Sequence, residues 1–362
     1  MSQYEEYLSL SITLNSGLKC VNFCILPGLM SCSMKTLVFT LCSNNYLAHA
    51  KTLGDSLRLT NPGIRFVIGL VDKWDPEIDY KYFDPFDVIQ CHEIGFPFFD
   101  EMLANYNVIE FNTAVKPFYI EYLFRKFGQE NRILYIDPDI VIYSSLSGLV
   151  KLLDTNNIVL TPNLTKASEK VTTGELASLR HGMYNLGFIG LRYSEETLRF
   201  ITWWQDRLRK YCIIDKPQGL FVDQKWIDLA PLFFSGILIS HDVGYNMAWW
   251  NLSERKLLKS GDRYYVNDLS QELIFFHFSG FRPGSEYYTG RVNHPDFSFK
   301  ARPELLEIFN DYSKSLSLNG LEKYSAKKPL LNFAFAKQSA SVNFKKRVKA
   351  RLKKMINNSL GF

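Results

Sequence analysis

The residues of this 362-residue chain best suited to chemistry are two carboxylates, Asp137 and Asp139, separated only by Pro138. They interrupt the stretch Arg132-Ile-Leu-Tyr-Ile-Asp-Pro-Asp-Ile-Val-Ile-Tyr143, which opens on apolar residues of high β-propensity. That opening predicts a buried central strand. Proline has no N–H to donate and fixes its own φ, so the ladder should stop at Pro138. Both carboxylates then stand at the carboxyl edge of a strand, where ligand sites in open α/β sheets lie. Acids at i and i+2 repel one another unless a cation sits between them. Oxygen donors of this kind suit Mg²⁺ or Mn²⁺, commonly shared with a diphosphate. The competing reading is a strand followed by a polar turn, and the triplet alone does not separate the two.

The elements that must position this pair follow from the surrounding pattern. Strands are expected over 36–41, 65–71 and 87–91, with a helix over 48–59 that stops at Asn61-Pro62-Gly63. Strand, helix and strand at these intervals predict parallel pairing with right-handed crossovers. The loop after the first strand carries Ser43, Asn44, Asn45 and Tyr46, which suits a nucleotide as well as an ordinary turn. No Gly-x-Gly-x-x-Gly and no Gly-x-x-x-x-Gly-Lys is present, so dinucleotide and P-loop binding lack support.

Helices are expected over 98–108 and 112–126. Lys116 falls near the start of the second, where a cation opposes the helix dipole unless an anion is near. A short helix at 150–153 and a strand at 158–161 follow. The polar stretch 163–180 is a candidate lid or acceptor loop. The strand over 184–191 contains Gly187 and Gly190, which allow another chain segment or a substrate to approach closely. A helix over 194–210, a short helix from 221 led by Asp223 and Gln224, and a strand at 237–240 complete this part. An apolar strand then ends near His277, with Gly280 and Arg282 just beyond it. A lone His on such a strand is usually a core residue, but Arg282 beside it suits a metal and phosphate site. A last helix is expected over 305–318.

Composition sets limits. The 46% apolar and 22% charged fractions are those of a soluble globular protein. Six cysteines without paired zinc spacing fit a reduced, cytoplasmic protein. No apolar run approaches the roughly 20 residues a membrane span needs. Residues 1–33 fit neither a signal peptide nor a folded element and are expected to be an extension without catalytic role. Residues 344–356 differ in kind: seven Lys/Arg and no acid surround Val348, Leu352, Met355 and Ile356 on one helical face. The chain carries +5, and without these seven cations it would carry −2. Such a helix suits an anionic membrane surface, at about 1 kcal/mol per cation, and would place the protein on the inner face of the membrane. No basic face outside this tail suggests nucleic-acid binding.

Taken in order, Asp137-x-Asp139, the glycine-bearing strand after Asn185, Asp223-Gln224, and His277-Phe-Ser-Gly280 followed by a cation resemble the GT-A glycosyltransferases. They are most similar to family 8, which includes glycogenin and bacterial lipooligosaccharide galactosyltransferases. The resemblance covers residues 34–300 and leaves 301–362 as a C-terminal helical segment with the basic tail. It implies an α/β, Rossmann-like GT-A fold with a central, mostly parallel sheet flanked by helices. It also implies Mn²⁺ or Mg²⁺ held by Asp137, Asp139 and His277, and a nucleotide-sugar donor, UDP-linked in the family. Asp223 and Gln224 would face the transferred sugar as the catalytic pair. The implied donor contacts are Thr40, Asn44, Tyr46, Asp72, Lys116, Asp137, Asn185, Gly280 and Arg282. The family follows its His and Gly with Lys-Pro-Trp, whereas this chain has Phe281-Arg282-Pro283-Gly284. The resemblance also implies retention at the anomeric carbon; with the basic tail suiting a lipid-linked acceptor, the expected acceptor is a glycan or a lipid-linked sugar of a bacterial surface polysaccharide or glycoconjugate.

Two other readings compete. A sugar-1-phosphate nucleotidyltransferase would want a Gly-rich basic loop after the first strand, and residues 42–46 contain none. A non-catalytic nucleotide- or glycan-binding protein would tolerate loss of the acids and the His, which are all present.

Overall fold

The computed structural model describes residues 35–128, 132–292 and 294–333. The extension 1–33 and the basic segment 344–356 lie outside the described residues. The strands are β1 (Thr36–Cys42), β2 (Arg65–Leu70), β3 (Asp87–Gln90), β4 (Arg132–Ile136), β5 (Ile140–Ile142), β6 (Ile158–Pro162) and β7 (Tyr184–Arg192). They continue with β8 (Ile214–Asp215), β9 (Leu220–Phe221), β10 (Ile237–Ile239), β11 (Met247–Ala248), β12 (Leu257–Ser260), β13 (Arg263–Val266) and β14 (Phe275–His277).

Seven strands form one sheet in the order β10-β6-β7-β4-β1-β2-β3. All pair in parallel except β7, which runs antiparallel to both β4 and β6. The fold is therefore mixed α/β with a central, mostly parallel sheet. Alternate residues of β1 and β4 serve the two faces. Leu37, Phe39, Ile133 and Tyr135 join a core under helices Lys116–Lys126 and Glu195–Tyr211, while Val38, Leu134 and Ile136 join a core under helix Leu47–Thr60.

Pro138 stops the ladder after β4, as expected, but the chain does not leave the core. Residues 137–140 form a tight turn closed by Ile140 N–H to Asp137 O at 3.2 Å. β5 then enters a second sheet in the order β11-β14-β5. In it His277 lies opposite Ile140 on one side and Ala248 on the other. Helix Leu306–Leu318 packs on this sheet, with Tyr312 stacked on Phe278 at 3.9 Å.

Several local expectations are corrected. The helix expected over 98–108 ends at Asn105, because Asn107 caps a new helix, Val108–Ala114, in a capping box with Glu110. The stretch 163–180 is no free lid. It contains helix Thr173–His181, begun by a Thr172–Glu175 capping box, and Glu254 accepts from the backbone amides of Thr165 and Lys166. Asp223-Gln224 leads a single turn, Gln224–Ile227.

Candidate metal centre

The site grows from the turn after β4. Asp137 N–H donates to Gly187 O at 2.8 Å, and Phe278 N–H donates to Asp139 O at 2.9 Å. These two bonds lock the turn to β7 on one side and to the end of β14 on the other. His277 Nε2 lies 3.0 Å from Asp139 Oδ1 and 3.8 Å from Asp137 Oδ2. One ligand atom from each of the three residues falls within 4.8 Å of the other two. A side chain at position 187 would put its Cβ 2.5 Å from His277 Cε1, so glycine is needed there for the ring to reach the acids.

The imidazole is oriented from behind. Its Nδ1 lies 3.3 Å from Asn246 Oδ1, an acceptor, so Nδ1 carries the hydrogen and Nε2 faces the carboxylates. Asn246 is held in turn by Thr161 Oγ1 at 3.0 Å and Asn185 Oδ1 at 3.2 Å. Trp250 meets the ring edge-on, with centroids 5.1 Å apart. Burial disfavours charge on all three groups, but they respond differently. Burial holds Asp137 above the carboxylate range, with Lys116 and His277 opposing. For Asp139 the same burial is outweighed by His277, and its pKa falls. For His277 burial is outweighed by Asp139 and Asp137, and its pKa rises. Two oxygen donors and one imidazole nitrogen, oriented by an outer amide, fit a divalent cation such as Mn²⁺ or Mg²⁺. The bland reading of the triplet as a polar turn does not account for the buried His aimed at it.

The other expected residues divide into lining and frame. Tyr46 is 42% exposed, and its hydroxyl lies in the fields of Asp139, Arg291, Asp137 and Arg282. Asn185, half-buried, accepts from Gly187 N–H at 3.0 Å. Arg282 is exposed beyond the Gly280 turn. Thr40, Asn44 and Asp72 are fully buried. Asn44 Nδ2 donates to Asp72 Oδ2 at 3.1 Å, and its Oδ1 accepts from the Tyr80 hydroxyl at 2.7 Å. Asp72 Oδ1 accepts from Lys73, Leu330 and Leu331 amides at 2.9, 2.8 and 3.1 Å.

Lys116 is buried as well. Its ammonium donates to Asp223 Oδ2 at 2.5 Å and Leu186 O at 2.9 Å, over the Tyr135 ring at 4.1 Å. Asp223, paired with it, is 2% exposed. Val222 just before it holds φ +41, an unusual conformation for a β-branched residue that fixes how Asp223 enters. Gln224 accepts from Leu186 N–H at 3.1 Å and donates to His181 O at 3.1 Å. Gln224 thereby braces β7 at Asn185 and Leu186.

Three participants were not expected from the sequence: Asn246, His49 and Arg291. His49 stacks on Tyr46 at 4.4 Å, and burial lowers its pKa to about 4, with Asp139 opposing. Its i+3 spacing from Tyr46 is a signal that could have been used. Asn246 adopts φ +54, which Asn tolerates, within an amide-rich stretch.

An open α/β sheet with an acid–acid–imidazole cluster at its carboxyl edge defines the class to which this molecule belongs. No protein-family model matches the chain. It is similar to the uncharacterized protein YfnD of Bacillus subtilis (strain 168), 24% identical over 195 residues, covering 53% of this chain and 60% of YfnD. It is also similar to uncharacterized protein YfnF of the same strain, 27% identical over 180 residues, covering 48% and 57%. The chain thus spans less than two thirds of the length of the relatives it matches. Among solved structures it is similar to the galactosyltransferase LgtC in complex with donor and acceptor sugar analogs, with TM-score 0.47 and 16% identity over 78% of this chain and 96% of that one. The glycosyltransferase GlyE of Streptococcus pneumoniae TIGR4 gives TM-score 0.45 and 15% identity over 81% and 63%. Likenesses this loose do not assign an activity. Among the described residues, no helix is long and apolar enough to cross a membrane.

Proposed function

We propose that the chain is a metal-dependent glycosyltransferase that moves a sugar from a nucleotide-sugar donor, UDP-linked by resemblance, to a glycan or lipid-linked acceptor. The observation that carries this reading is the convergence of Asp137, Asp139 and His277 within 4.8 Å. A divalent cation held there stabilises the negative charge that develops on a leaving diphosphate. Arg282 supplies a further cation for that group. Asn185 presents an amide toward the sugar. Tyr46, stacked on His49, offers an exposed ring beside the site. Asp223, Gln224 and Lys116 act as positioning residues, through β7 and Tyr135. The buried carboxylate of Asp223 is already paired with Lys116, which favours front-face transfer with retention. The acceptor fits a bacterial surface polysaccharide or glycoconjugate, and segment 344–356 would bring the enzyme to an anionic membrane. Truncation before residue 342 is then expected to abolish sedimentation with anionic vesicles.

The test is Mn²⁺-dependent release of nucleoside diphosphate from a panel of UDP- and GDP-sugars, comparing wild type with Asp139→Asn. Metal-dependent turnover lost in the variant supports the reading. Turnover without metal, equal in both, contradicts it.

A further inference from the structure

The loop after His277 returns to the metal centre a second time, through a residue far from the expected cation. Gly280 adopts φ +75, a left-handed turn that glycine permits. Gly290 N–H donates to Gly280 O at 2.8 Å, and the Thr289 hydroxyl donates to Ser279 O at 3.0 Å. Thr289 is fully buried, so residues 289–290 are docked against 279–280. Arg291 N–H then donates to Thr289 Oγ1 at 3.2 Å, which sets the direction of the next side chain. The stem of Arg291 lies across the bare face of Gly280: a Cβ there would be 2.8 Å from its Cγ and 3.0 Å from its Nε. Gly280 itself is two residues beyond Phe278, whose amide holds Asp139. Gly280 is thus a seat for Arg291, where a donor contact was expected.

Arg291 is exposed and makes no ion pair among the described residues. A guanidinium stem held on Gly280, three residues beyond His277, brings a cation to the metal-ligating strand end, where it opposes a bound metal ion unless an anion lies between them. A diphosphate bridging the metal supplies that anion and matches the bidentate fork of Arg.

We propose that Arg291, seated on Gly280, is a principal protein cation for the diphosphate of the donor. The inference rests on the glycosyltransferase reading and deepens it. The test measures binding by calorimetry, without turnover, using UDP, GDP and the matching nucleosides with Mn²⁺. The expected result is that Arg291→Gln weakens binding of the diphosphate by about tenfold to a hundredfold. Nucleoside binding should be unchanged, and Arg291→Lys should recover part of the loss. Gly280→Ala should weaken diphosphate binding too, and should add little in the Arg291→Gln background. Wild-type affinity in Arg291→Gln, with the loss falling on Arg282→Gln, overturns this proposal and leaves the transferase reading intact. Absence of Mn²⁺-dependent diphosphate binding in the wild type overturns both.

Discussion

Two sets of charged side chains lie on either side of Tyr135. The Lys116 ammonium sits over its ring at 4.1 Å, and the Tyr135 hydroxyl donates to Asp137 Oδ1 at 2.5 Å. Lys116 and Asp223 form a closed pair, each side chain 2% exposed, with the carbonyl of Leu186 taking a further donor. Asp137, Asp139 and His277 form an open set, in which the two acids remain 30% and 19% exposed while the His is buried. The closed pair neutralises itself and holds the frame. The open set has two acids for one imidazole, an arrangement that fits a cation from outside. Residue type does not distinguish these duties; access and partner count do.

The largest effect is expected from breaking the closed pair. Lys116→Met leaves Asp223 buried and unpaired, and should cost about 3–5 kcal/mol in denaturant unfolding. The double variant Lys116→Met/Asp223→Leu should recover most of that loss, since a buried pair is often replaceable by apolar groups. No recovery would mean that the pair does more than neutralise itself.

The open set should behave in the opposite way, gaining stability from a ligand. Mn²⁺ at a hundred times its dissociation constant should add about 2.7 kcal/mol to unfolding stability, reversed by chelation and absent in Asp137→Asn. A smaller effect is expected one layer out. Asn246→Leu removes the acceptor that orients His277 and should weaken Mn²⁺ binding by about tenfold to a hundredfold. An unchanged affinity would mean that the imidazole is held by packing alone.

These contrasts also show what the sequence could reveal. Asp137 and Asp139 were legible because Pro138 must end a ladder. His277 was legible because its strand ends in a turn with a cation beyond. Gly187 was marked for close approach, and the ring of His277 occupies the space. The intramolecular partners of Lys116 and Asp72 were hidden for one physical reason: they come from far along the chain. Asp223 lies 107 residues from Lys116, and Leu330 lies 258 residues from Asp72. Local spacing cannot show that such a group is already satisfied. Arg291 was missed for the complementary reason, because its place depends on a loop folding back onto Gly280.

The smallest expected effect concerns His49, at the edge of the open set. Burial holds its pKa at about 4, below the unfolded value near 6.5. The neutral ring therefore contributes stability that is complete above pH 6.5 and lost as pH falls toward 4. His49→Phe should flatten the pH dependence of unfolding in that window by about 1–2 kcal/mol. An equal slope in wild type and variant would assign the acid sensitivity to other groups.

The most direct test of the central claim is a Mn²⁺ titration followed by loss of the free-ion electron paramagnetic resonance signal, in wild type and in folded Asp139→Asn. The open set predicts one bound ion per chain in the wild type and loss of that site in the variant. An Asp139→Asn protein that takes up the same ion with unchanged affinity would contradict the assignment of this cluster as the metal centre.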